Sequence, residues 1–168
     1  MSRSGITRTA ALVAVLFGTF TGVSAAAQQD GTGPGNRAFI DAAATQDALA
    51  SATQLSTDLF TFSYTEVKEH EAKFGRLTTG DFTNEYGKLF NDVIAQAQTQ
   101  KLSLTSTVKG AAVRELRDGQ AEVLVFLDQA ASSAGTGQAT TSTTMFTATI
   151  KKVDDEWKFA DIDLFEAK

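Results

Sequence analysis

Apolar residues at Ala44, Ala48, Ala52, Leu55, Leu59 and Phe62 recur at steps of three and four, with Thr, Gln and Asp between them. That period predicts a helix with one buried stripe. Ser63-Tyr64-Thr65-Glu66 has capping-box spacing, so a second, short helix opens there, runs to Phe74 and stops at Gly75. Thr78-Thr79-Gly80-Asp81 repeats the device before a third helix, whose buried face is Phe82, Tyr86, Leu89, Val93 and Ala97. After Lys101 the period falls to two. Residues 102–116 read as a strand with a bulge at Gly110, and Asp118-Gly119 as a hairpin turn, because both central positions there ask for positive φ. Residues 121–127 (AEVLVFL) are apolar on both faces, which predicts a central strand. Residues 129–144, all Ala, Ser, Thr, Gly and Gln, read as a long soft hairpin tip. A strand over 145–153, a turn at Asp154-Asp155 and a last strand over 157–165 complete the chain.

Helices followed by strands make an α+β layer structure. The expected body is three helices packed on a curved four-stranded antiparallel meander, a cone with an apolar mouth. Ahead of it, residues 9–27 (TAALVAVLFGTFTGVSAAA) carry no charge and follow Arg3 and Arg8. Two readings compete for residues 1–27. A secretory signal peptide needs a basic start, a short apolar stretch and small residues before the cut, and Ala25-Ala26-Ala27 supplies the last. A single-pass membrane anchor, a hydrophobic helix, needs roughly 20 mostly apolar residues. Gly18, Thr19, Thr21, Gly22 and Ser24 dilute the second half and favour cleavage. In both readings the basic flank stays inside and the rest is extracytoplasmic: anchored with the N-terminus in the cytoplasm, or secreted after cleavage. Residues 28–36 (QQDGTGPGN) read as a flexible linker, which leaves 37–168 as the folded domain.

Composition narrows the chemistry. The 168 residues contain no cysteine and one histidine. Disulfide scaffolds, thiolate metal sites, cysteine nucleophiles and any site needing two imidazoles are thereby excluded. No metal or cofactor is expected. The net charge of −5 comes from acids spread along the body with no basic block, which argues against nucleic acid as a partner. Gly31-Thr32-Gly33-Pro34-Gly35 follows no strand and lacks the Lys-Ser/Thr of a phosphate loop.

The stretches LFTFSYTEV (59–67), LTTGDFTNEYGKLFNDV (77–93), QKLSLTSTVKGAAV (100–113), QAEVLVFLDQ (120–129) and DEWKFADIDLF (155–165) together resemble the Mce-associated membrane proteins of actinobacteria. These have one N-terminal membrane segment and an extracytoplasmic domain of the nuclear-transport-factor-like, SnoaL-like cone fold. Residues 9–27 are shorter and less apolar than the anchors usual in that family. The resemblance implies a non-enzymatic accessory role beside Mce lipid- or sterol-import complexes in the cell envelope, through contacts with Mce and permease subunits. It carries no catalytic residues onto this chain.

Two other readings stand beside it. A lipid-binding carrier or sensor would use the cone cavity, with Phe60, Phe62, Tyr64, Phe82, Tyr86, Phe126 and Trp157 as its lining; the competing assignment for most of these, and for Phe146, is the ordinary core. A small enzyme related to ketosteroid isomerases would set Asp128, Asp161 or Asp163 in the mouth with Tyr64 or Tyr86, the buried carboxyl having a raised pKa. In the period-two pattern Asp161 and Asp163 share a face with Trp157, Phe159 and Phe165. His70, between Glu69 and Glu71, is either a general base whose pKa the acids raise or a half-buried helix residue; the second is favoured, since its helix is short and charged.

Overall fold

A computed structural model describes residues 35–165 of the chain. The N-terminal hydrophobic segment and all but the last two residues of the expected linker lie outside the described residues, as does the side chain of Leu89. Eight elements follow in order: α1 (Ala42–Leu59), β1 (Phe62–Ser63), α2 (Val67–Leu77), α3 (Asp81–Gln100), β2 (Leu102–Arg117), β3 (Gln120–Ser133), β4 (Ala139–Val153) and β5 (Glu156–Leu164). The strands form one curled antiparallel sheet in the order β1-β2-β3-β4-β5. The α+β cone of helices on a meander is therefore present, with one strand more than expected. Two residues, Phe62 and Ser63, pair with Leu104 and Ser103; a strand that short has no period to read.

On the inner face of the sheet, Leu104, Leu116, Ala121, Val123, Val125, Leu127, Phe146, Ala148, Ile150 and Phe159 are buried. Against them pack Ala48, Ala52, Leu55 and Leu59 of α1, Val67 and Phe74 of α2, and Phe82, Tyr86, Val93 and Ala97 of α3. The stripe on α1 thus lands where the spacing put it, except that the helix ends at Leu59 and Phe62 enters the core from β1. Removing each of the Leu, Val, Ile and Phe side chains among them from water is favourable by about 1.5–3 kcal/mol.

The helix starts depart from the expected signals. Asp41 caps α1 by accepting from the Ala44 amide at 3.0 Å. Ser63 does not cap α2; it sits in β1 and its Oγ accepts from the Thr65 amide at 3.3 Å, closing a local turn before Glu66. Gly75 lies inside α2, which continues to Leu77. Thr78 is drawn away from α3 as well: its Oγ1 donates to the Phe74 carbonyl at 2.8 Å and its backbone bridges Phe159. Gly80, at φ 68°, occupies the N-cap of α3. Both hydroxyls are thus committed to bonds within a few residues, Ser63 to the turn at Thr65 and Thr78 to the last turn of α2, rather than to the helix that follows.

Turns behaved as local chemistry. Asp118 and Gly119 have φ of 40° and 76°, and Asp154 and Asp155 have φ of 52° and 63°, the left-handed values that tight hairpins require. The soft tip over 129–144 is corrected: β3 runs to Ser133 and β4 starts at Ala139, paired residue by residue from Ser132↔Ala139 onward. Backbone hydrogen bonds hold this arm without apolar alternation, which is why its sequence carries no strand signal. The arm is also anchored, because Ser133 Oγ donates to the Gln100 carbonyl at 3.0 Å and the Ala134 amide to that of Lys101 at 3.0 Å.

Candidate interaction surface

The residues with chemical potential divide between inside and outside. Four of the seven aromatic candidates, Phe60, Phe62, Phe82 and Tyr86, are buried in one aromatic network. Tyr86 stacks on Phe82 at 4.7 Å; Phe82 meets Phe159 at 5.2 Å and Phe74 at 6.3 Å. Phe60 joins Phe146 and Phe159, and Phe62 meets Phe90 and His70. Burial pushes the Tyr86 phenol far above its usual range, so it stays protonated.

The other three lie apart. Tyr64 is half-buried just past β1. Trp157 lies at the β4–β5 hairpin, where its Nε1 donates to Asp47 Oδ2 on α1 at 2.9 Å and Lys152 stands 5.1 Å over its ring. Lys152 also reaches Asp47 at 3.1 Å, and the indole and ammonium donors hold the Asp47 carboxyl below its ordinary range. This cluster ties the first helix to the last hairpin. Phe126 points to the opposite side of the sheet and is 41% exposed.

None of the three aspartates faces the interior. The register of β5 shifts between Thr149↔Asp161 and Ile150↔Phe159, so Ala160 bulges. A bulge reverses the side-chain alternation beyond it. Phe159 and Ile162 therefore both point inward, whereas Asp161 and Asp163 are exposed on the outer face. That corrects the shared face expected for Asp161, Asp163 and Phe159. Asp128 is on the outer face too, accepting from Thr143 Oγ1 at 2.6 Å with Lys109 Nζ at 3.8 Å.

His70 is buried rather than half-buried. It stacks on Phe90 at 4.7 Å, and its Nε2 has no partner among the described residues. Burial, reinforced by the Lys73 charge, lowers its pKa, while the Thr61 and Leu59 carbonyls pull the other way. The direction is opposite to the one the neighbouring acids suggested, because Glu69 and Glu71 are exposed and Lys73 is closer in effect. Beside it, between α2 and α3, Glu71, Phe74, Gly75, Gly87 and Phe90 line a cleft of about 340 Å³. Gly87 contributes bare backbone to its wall, and a Cβ there would stand in ordinary contact, 3.7 Å from Phe74 Cε1.

The outer face of the sheet holds the feature that sequence reading missed. Gly110, Phe126 and Met145 lie opposite one another on β2, β3 and β4. Phe165, one residue past β5, follows the Phe146↔Leu164 pair and continues the row by alternation. Met145 is 37% and Phe165 47% exposed. Phe126 lies over Gly110, where a Cβ would sit 3.9 Å from Phe126 Cδ2, so the glycine's bare backbone is covered by the neighbouring ring. Leu124 and Ala112 form the adjacent pair. The charged Lys109, Asp128 and Arg114 edge the row. An apolar row across three strands with a polar border is the composition of a contact surface. Correct placement of the hairpin tip is the signal that would have paired Phe126 with Met145.

No protein-family model matches the chain. It is 31% identical over 118 residues to an uncharacterized protein of Mycobacterium tuberculosis, found alike in strains CDC 1551 and H37Rv. The match takes in 70% of this chain and 54% of the relative, so the chain spans about half the length of the curated relatives it matches. Solved structures with the same fold include CagV, a VirB8 homologue of the type IV secretion system of Helicobacter pylori (TM-score 0.60, 11% identity, 72% of this chain and 98% of that one). An IcmL-like type IV secretion system protein of Legionella pneumophila gives TM-score 0.63 at 8% identity over 73% and 93% of the two chains. A periplasmic fragment of TraM gives 0.59 at 14% identity over 73% and 98%. At these identities the likeness establishes the nuclear-transport-factor-like cone fold and no more.

Proposed function

We propose that this chain is a non-enzymatic, extracytoplasmic accessory protein that acts through protein contacts, and that its assembly is an Mce-type lipid-import complex of the cell envelope. The observation that carries the reading is the placement of its chemistry. The concave side is filled by packed aromatic and aliphatic side chains, while the exposed apolar row Phe126–Met145–Phe165 faces outward. Support for the compartment comes from the basic and uncharged N-terminal segment, and from the periplasmic origin of the TraM fragment and of the DotI domain that share the fold. Support for the Mce assignment is the collinear resemblance over residues 59–165. Among the described residues no helix is long and apolar enough to cross a membrane.

The test is a C-terminally tagged pull-down from gently solubilised native membranes, read by mass spectrometry for proteins and lipids together. Recovery of Mce and permease subunits is the expected result, and recovery of the chain alone would overturn it. A second reading, a lipid carrier, is favoured by the cleft of about 340 Å³ over Phe74 and Phe90. It predicts an apolar ligand that co-purifies with the wild-type chain and is lost when Gly87→Leu fills that cleft.

A further inference from the structure

Open sheet edges are normally blunted by charge, proline, bulges or a covering segment, because an exposed row of backbone donors and acceptors recruits another strand. Most edges of this sheet are treated so. β2 is covered near one end by β1 and by Thr61, whose Oγ1 accepts from the Ser106 amide at 3.0 Å. At its other end Asn36 and Arg37 bond Arg114 and Leu116. Between them the strand bulges at Lys109 and Arg114. The outer edge of β5 carries Glu156, Lys158, Asp161 and Asp163.

One stretch lacks all of these devices. β4 pairs with β5 only from Phe146 onward. The preceding residues, Ala139, Thr140, Thr141, Ser142, Thr143 and Thr144, have β3 on one side and no strand among the described residues on the other; Phe165 reaches only as far as Met145. They contain no proline, and the chain has no charged residue anywhere between Asp128 and Lys151. The arm is held in place by its anchors to Gln100 and Lys101, so the edge is presented preformed.

We propose that this edge pairs with the same edge of a second copy of the chain, antiparallel and about a two-fold axis at Ser142, joining two five-stranded sheets into one. The sequence is self-complementary in that register: Thr141 meets the partner's Thr143, and Thr140 the partner's Thr144. Threonine pairs of this kind are favourable across strands. Charge complementarity points the same way: for a chain of net charge −5, an uncharged strand is where two copies approach without setting acid against acid. Pairing over the five residues from Thr140 to Thr144 would satisfy about five backbone hydrogen bonds, close to one per residue.

Sedimentation of the full-length chain in mild detergent should give the mass of two chains. Thr141→Lys/Thr143→Lys sets lysine against lysine at both symmetric contacts and should give monomer. Thr141→Glu/Thr143→Lys sets glutamate against lysine at the same contacts and should restore the dimer. All these side chains are exposed, and unchanged circular dichroism melting confirms that the fold persists. Because the chain is cysteine-free, Ser142→Cys gives an independent readout: oxidation should yield a covalent dimer, since opposed residues of antiparallel strands lie within disulfide reach. A monomeric wild type, as when the edge is covered by this chain's own remaining residues, would overturn the proposal. So would a dimer indifferent to the two lysines, which places association elsewhere, or an absence of Ser142→Cys cross-linking.

Discussion

At the residue scale, His70 shows how burial outweighs sequence neighbours. Its ring lies between Phe90 and Phe62, and desolvation holds its pKa below the ordinary 6.5. The unfolded chain then binds a proton near pH 6.5 that the folded chain refuses, so stability is full above that pH and falls as the pH drops below it. Thermal melts should show a midpoint declining between about pH 6.5 and 5, above the range in which the carboxylates titrate. His70→Phe should flatten that limb, and a limb of unchanged slope would remove His70 as its source. Asp161 makes the complementary point. Its sequence places it on an apolar face, and one bulged residue, Ala160, turns it to solvent. An alternation pattern is legible only as far as the next bulge, because the extra residue is set by the packing of Phe159 and Ile162 rather than by a local preference.

At the element scale, the longest helical stripe and the two tight turns were legible because their signals are local: spacing on α1, positive φ at Asp118-Gly119 and Asp154-Asp155. Helix starts were not, since Ser63 and Thr78 are claimed by a neighbouring turn and by the Phe74 carbonyl. Asn36 is the sharpest case. It reads as the end of a linker, yet it is buried. Its side chain donates to the Arg114 carbonyl at 3.0 Å and accepts from the Leu116 and Ala38 amides at 3.0 Å each. An asparagine in a Gly-rich run has no way to announce a partner 80 positions away. Asn36→Ala should cost about 2–4 kcal/mol, because it leaves buried backbone groups of β2 unpaired. A shift of the urea midpoint at unchanged slope measures this, and a change under 1 kcal/mol would mean that water replaces the side chain.

At the scale of the whole molecule, inner and outer faces of one sheet serve different ends. Phe146 and Phe126 are both phenylalanines on neighbouring strands, one wholly buried and one 41% exposed. Phe146→Ala should destabilise the fold by about 3–5 kcal/mol. Phe126→Asp should leave the melting temperature within a few degrees and lower partner recovery in the pull-down at least tenfold. Unfolding by Phe126→Asp, or full partner recovery with it, would remove the outer row from the contact surface. The surface itself was half legible: Phe126 was singled out, but as a cavity residue, because a strand apolar on both faces does not say which face the helices cover.

Periodicity, turn chemistry and the order of elements are properties of neighbouring residues. From them the sequence alone determined an α+β meander with three helices on one face, the central place of residues 121–127 and the absence of thiol and paired-imidazole chemistry. Only the tertiary structure decided which face of each strand is covered, that further bulges at Arg114 and Ala160 reset the alternation, how far the uncharged arm extends as paired strand, and that Asn36 closes the edge of β2. Those outcomes depend on contacts between residues tens of positions apart. Their free energies are comparable to the local preferences they override, and no window along the chain contains both partners.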